Sequence, residues 1–252
     1  MQASIQGYPP VKVGIITGDL GRYVEFNNAM YALLLPVGSN YQNIRGNGFA
    51  YNRNLLVREM DPEIEYLWFI DDDHTFDPGI VMNLITRGVD IVQPMCVTRK
   101  PPYNPYGYRF ADGDYHTIPW AKFPKSGLFE VDAVGTGGML VHRRVFDAMP
   151  DPWFEEGKLG PEHLGEDLWF CKKAKELGFK IYVDCDNPMG HLSTHAVWPM
   201  QTPQADWCVG MNFLHGVWAP FATDFGHQGL REVKDGTLQR KCDQPDPVAD
   251  GR

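Results

Sequence analysis

Three consecutive carboxylates close an apolar run in Tyr66-Leu67-Trp68-Phe69-Ile70-Asp71-Asp72-Asp73. Like charges this close raise one another's pKa unless a cation neutralises them, and hard carboxylate oxygens favour Mg2+ or Mn2+. An acidic turn or a helix cap accounts for one aspartate well and for three poorly, so the run reads as a metal site. Downstream, Gly135-Thr136-Gly137-Gly138 breaks an alternating segment, Gly165-Glu166-Asp167 opens a helical stretch, and Gly190-His191 follows another apolar run, with His195 shortly after. Carboxylates and imidazoles in these places offer metal ligands and a general base. Acidic residues also favour the first turn of a helix, so Glu166 and Asp167 can serve capping and chemistry together.

These groups need strands and helices to hold them. Val11–Ile16 reads as a buried first strand ending at Thr17-Gly18-Asp19, and strand ends of α/β sheets are where ligands sit. Residues 46–60 read as a helix with Asn52-Arg53-Asn54 on its polar side. Tyr66–Ile70 is a second strand, residues 79–87 a helix closed by Gly88, and Asp90–Pro94 a third strand. Residues 100–127 are rich in Pro, Tyr and Gly and read as a long substrate-facing excursion with at most a hairpin. Strands at 129–134 and 139–142, a short helix at 143–149, a helix at 166–177 and a last strand at 180–184 complete the ordered chain. The alternation predicts an α/β sheet, mostly parallel in its first half.

The order of these segments resembles that of metal-dependent glycosyltransferases of the GT-A type, a soluble, family 2-like version. An Asp-x-Asp pair at a strand end, a glycine-rich strand entry, a Glu-Asp helix start and a later Gly-His carry the resemblance over residues 11–195. The resemblance implies a mixed, Rossmann-like sheet flanked by helices, with residues 1–229 as the catalytic domain and 230–252 as a polar tail. It implies transfer of a sugar from a nucleoside-diphosphate donor, of uridine type, to a hydroxyl acceptor: a glycan, a protein or a hydroxymethylated DNA base.

Under that resemblance Asp71 lies near the donor ribose or the metal, and Asp73 binds the Mn2+ or Mg2+ that bridges the diphosphate. His191 is the third ligand, with His195 as the alternative. Asp167, or else Glu166, takes the proton from the acceptor. Asp72, Thr17 and Asp19 face the nucleotide, Arg53 pairs with the diphosphate, and Gly137 and Gly138 leave room for the sugar. Trp153 and Trp198 are the aromatic candidates for acceptor contact. The Gln-x-x-Arg-Trp segment of processive polysaccharide synthases is missing, which sets the chain apart from them. Two other readings use the same residues: a nucleotidyltransferase, of whose phosphate-gripping loop Gly18-Asp19-Leu20-Gly21-Arg22 is a partial match, and a non-catalytic nucleotide-sugar binding module.

Composition narrows the field. A net charge of −9 provides no global attraction for nucleic acid or anionic membranes, so Arg99-Lys100, Lys122–Lys125 and Lys172–Lys175 read as solvated basic patches. Five cysteines without CxxC spacing predict reduced thiols rather than a disulfide framework or zinc knuckle. No apolar run has the length of a membrane span or signal peptide, and the expectation is a cytoplasmic protein.

Overall fold

The computed structural model describes residues 4–18, 23–99, 102–160, 162–193, 196–201, 207–212 and 218–221. A seven-stranded sheet forms its centre. Its strands in chain order are β1 (Val11–Thr17), β2 (Asn40–Arg45), β3 (Tyr66–Asp71), β4 (Ile91–Met95), β5 (Leu128–Val131), β6 (Leu140–His142) and β7 (Ile181–Pro188). The spatial order is β5-β7-β4-β6-β3-β1-β2. Strands β2, β1, β3, β4 and β7 run the same way; β6 inserts antiparallel between β3 and β4, and β5 pairs antiparallel on the far edge of β7.

Both faces of the sheet's centre are covered, which is why β1, β3 and β4 read as continuous apolar runs. Side chains alternate across β3: Leu67 and Phe69 enter one core, Tyr66, Trp68 and Ile70 the other. The first core takes the apolar residues of α2 (Phe49–Arg58), α4 (Arg143–Ala148) and α5 (Glu166–Glu176). There Phe170 stacks on Phe154 at 4.5 Å, and Phe154 meets the edge of Phe69 at 5.2 Å. The opposite core takes α1 (Val24–Ala32) and α3 (Ile80–Thr86). Lys12, 2% exposed within β1, is accommodated by donating to the Leu56 and Glu59 carbonyls at the end of α2, where a cation also complements the helix dipole.

Three features depart from the pattern reading. Strand β2 and helix α1 occupy a stretch in which periodicity is weak; β2 alternates only between half-covered and exposed positions until Ile44, because it is the sheet edge. The Asn52-Arg53-Asn54 triplet is buried, not on a polar side. Asn54 both donates to the Phe154 carbonyl and accepts from its amide, stitching α2 to the loop before α5.

Nor is β7 the last strand. Gly190–Leu192, Ala196–Gln201, Trp207–Asn212 and Trp218–Phe221 build a second, antiparallel sheet whose far edge is the two-residue strand His74–Thr75. The long excursion does contain its hairpin, Tyr108–Ala111 with Asp114–Thr117. Residues 222–252, including the proposed tail, lie outside the described residues.

Candidate functional site

A cleft of about 640 Å³ opens at the C-terminal ends of β1 and β3. Ile16 and Asp71 are register partners there, so the acidic run emerges beside the end of the first strand. Its three aspartates face different partners. The Asp71 carboxylate lies 3.7 Å from the Arg53 guanidinium. Asp72 turns back toward β1, accepting from the Gly18 amide at 3.1 Å while its own amide donates to the Ile16 carbonyl. Asp73 points inward, toward the second sheet.

That inward side is built by strand pairing. His74 and His191 are antiparallel register partners, which puts their rings on one face, stacked with centroids 4.4 Å apart and planes 16° from parallel. Asp73 sits against both: Oδ1 is 3.0 Å from His74 Nδ1, and Oδ2 is 3.4 Å from His191 Nε2. The Arg99 guanidinium reaches the same Oδ2 at 2.8 Å. Burial pushes the Asp73 pKa up, yet His191, when its ring is protonated, and His74 more than offset it and hold the carboxyl well below the usual carboxylate range.

His191 is fixed by its other nitrogen. A backbone carbonyl only accepts, so the 2.8 Å contact of Nδ1 with the Val97 oxygen assigns that proton to Nδ1. In the neutral ring the Nε2 lone pair then faces the Asp73 carboxylate. Burial lowers the His191 pKa despite the attraction of Asp73, favouring that neutral form. Two electron-rich atoms so placed call for a cation, and Arg99 supplies one on the Asp73 side. Gly190 is needed for the approach: a Cβ there would meet Trp198 Cε2 at 2.6 Å.

Across the cleft, Asp167 lies at the start of α5. Its Oδ1 accepts from the Leu168 amide at 2.8 Å, and burial raises its pKa while Arg53 pulls the other way. Glu166 is engaged differently, forming an ion pair with Arg53. Arg53 is 4% exposed, with Phe49 5.4 Å away at ring-face distance, so it bridges Glu166 on α5 to Asp71 on β3 as a buried cation. Its guanidinium lines the cleft already committed to these two carboxylates.

The glycines divide. Gly135, Thr136 and Gly137 line the cleft. A Cβ on Gly137 would come within 2.7 Å of His74 Cε1 and 3.1 Å of Asp71 Oδ2, so its missing side chain makes room for His74. Gly138 has φ +100° and a Cβ there would strike Met189 at 2.5 Å; it shapes the strand entry from behind the cleft. Thr17 donates to Asn43 at 2.5 Å, toward β2. Trp153 donates to the Phe146 carbonyl and packs in the core, and Trp198 covers Gly190. Asp19 and His195 lie outside the described residues.

Sequence reasoning passed over His74, Arg99 and Tyr106, all of which line the cleft. His74 directly follows the acidic run, which was its available signal. Arg99 looked like part of a solvated basic patch; its role depends on a contact between distant segments. Among the described residues, His74, Cys96 and His191 bring one potential ligand atom each within 4.8 Å of the other two.

No protein-family model matches the sequence, and no curated protein is significantly similar to it. Solved structures do match. A197 from STIV is 16% identical with a TM-score of 0.50, over 91% of this chain and 97% of that one. GalNAc-T7, solved with UDP, GalNAc and Mn2+, is 13% identical with a TM-score of 0.51 over 74% of this chain; the match spans 43% of that protein's chain. With the strand order above, these likenesses establish the architecture: a mixed seven-stranded sheet flanked by helices, the GT-A fold.

Proposed function

We propose that this protein is a metal-dependent glycosyltransferase that takes a sugar from a nucleoside-diphosphate donor, of uridine type, and passes it to a hydroxyl acceptor. The observation that carries the reading is the Asp73–His191 pair: a carboxylate and an imidazole nitrogen facing each other at 3.4 Å beside the cleft, with the imidazole oriented by a backbone carbonyl. The fold match adds that GalNAc-T7, which shares the architecture, was solved with UDP and Mn2+.

The residues fit a divalent cation. Asp73 Oδ1 is buried without a hydrogen bond of good geometry, and His191 Nε2 is aimed at the same carboxylate. Backbone orientation of the far nitrogen is the usual support of a metal-bound histidine. Asp73 and His191 would hold the ion, and Asp71, whose carboxylate faces Arg53, would join by turning toward it. Such an ion neutralises charge developing on the departing nucleoside diphosphate.

The protein's own residues supply the rest. Arg53 and Glu166 lock α5 against α2 and hold the neighbouring Asp167 at the cleft wall. Asp167 takes the proton from the acceptor hydroxyl, a role that suits a carboxylate made more basic by burial. Phe49 and Tyr106 offer flat apolar surface on the cleft walls for base or sugar.

The test is a panel of nucleoside diphosphate sugars with and without Mn2+, following heat of binding and release of nucleoside diphosphate by the wild type and Asp73→Ala. Metal-dependent binding and release, lost in the variant, are expected. A folded wild type that binds no donor across the panel contradicts the reading.

A further inference from the structure

The Asp73–His191 contact leaves one side of the imidazole pair unused. His74 turns Nδ1 to Asp73 at 3.0 Å, while its Nε2 is buried beside the Cys96 thiol without a hydrogen bond of good geometry. An imidazole nitrogen so poorly paired in a residue only 2% exposed is costly to keep unless something binds it. The Cys96 thiol, just beyond β4 and 1% exposed, lies in the same place: one ligand atom each from His74, Cys96 and His191 falls within 4.8 Å of the other two. Three separate chain segments bring them together, and the described cysteines Cys96, Cys171, Cys185 and Cys208 are free thiols.

We propose that His74, Cys96 and His191 form a second metal site, selective for a thiophilic ion of the Zn2+ class, behind the carboxylate site and exclusive with it because both use His191. Two imidazoles and a thiolate are a soft and borderline donor set that binds Zn2+ or Co2+ well and Mg2+ or Mn2+ poorly. Binding displaces the Cys96 proton and, from a charged His74, the Nε2 proton; both leave to solvent as the sulfur becomes a thiolate ligand and the ring keeps Nδ1–H. The Asp73 carboxylate then accepts from His74 Nδ1–H, the carboxylate–histidine–metal arrangement that fixes such a ring.

Tetrahedral ligation with bonds of about 2.0–2.3 Å places ligand atoms about 3.3–3.8 Å apart, so the cluster closes by about an ångström and the stacked rings tilt out of parallel. His74 and His191 both line the cleft, which gives the ion its way in. Drawing His191 inward removes it from Asp73. The consequence is a built-in zinc inhibition: low Zn2+ empties the carboxylate site of Mn2+ without itself being ligated by Asp71 or Asp73.

Co2+ reports the site directly, because thiolate ligation gives a near-ultraviolet charge-transfer band that carboxylate and imidazole ligation cannot. Titrating the full-length, reduced protein with Co2+ is expected to raise this band to one equivalent, and Zn2+ to abolish it. Cys96→Ser should remove the band and weaken Zn2+ binding by about tenfold or more. A wild-type protein that binds Co2+ with no thiolate band overturns the proposal, whatever the variant does, as does a band that survives Cys96→Ser. Mn2+ binding is read on a separate sample free of Co2+ and Zn2+ by electron paramagnetic resonance. Its absence sinks the donor-metal reading and leaves the thiolate result standing on its own.

Discussion

His191 Nε2 stands 3.4 Å from Asp73 Oδ2 while its Nδ1 is tied to the Val97 carbonyl at 2.8 Å. This pairing joins the end of β3 to the first strand of the antiparallel sheet, and Leu192 reinforces it by donating its amide to the Asp73 carbonyl at 2.6 Å. The backbone thus sets the distance between two prospective ligands that are far apart in sequence.

Arg99 sits on the oxygen that a metal would use. Ion pairs with a half-exposed partner contribute little, about 0.2–1 kcal/mol, so Arg99→Gln should tighten Mn2+ binding to the donor-free protein by about 1.4- to fivefold. Calorimetric titration checks this; unchanged or weaker binding would show that the guanidinium does not compete.

Asp167→Asn should leave donor binding intact and reduce transfer by about 10²–10⁴-fold, the range for a lost general base. The pH dependence has a definite sign. The base works ionised, and burial raises its pKa, so kcat/KM should fall on acidification at a pH above the ordinary carboxylate value of about 3.9. A profile whose acid limb is the same in wild type and Asp167→Asn removes the assignment.

Gly137→Ala would put a methyl within 2.7 Å of His74 Cε1. The ring is buried, so it cannot swing away cheaply, and overpacking of this kind costs about 1–3 kcal/mol. Weakened Mn2+ binding with a small drop in Tm is the expected result; full metal affinity would mean that His74 can shift without disturbing Asp73.

Asn54→Ala removes both hydrogen bonds to the Phe154 backbone and leaves an amide and a carbonyl buried. A loss of about 2–3 kcal/mol is expected from chemical denaturation. Far-ultraviolet circular dichroism should still report a folded chain, because the aromatic core around Phe170 is untouched.

Much of this was readable from residue order. Apolar runs covered on both sides, such as Tyr66–Ile70, declare themselves, and the acidic run at their end needs no tertiary information to stand out. The strand ending at Thr17, the helix starting at Glu166 and the hairpin inside the long excursion follow from the same local chemistry. What escaped depends on distant pairing. Arg53 reads as a surface helix residue until Glu166 and Asp71 close around it, and His74 gains meaning only as the register partner of His191. Edge strand β2 carries little periodicity because half of it meets solvent, and the second sheet is built from short segments whose apolar pattern is diluted by Pro and Gly.

The most direct measurement is Mn2+ binding followed by the loss of its free paramagnetic resonance signal, with and without UDP, on wild type and Asp73→Ala. One Mn2+ bound per chain, tightened by UDP and lost in Asp73→Ala, is the result this account predicts. Equal binding by both proteins, or none by a folded wild type at millimolar Mn2+ with UDP present, would contradict it.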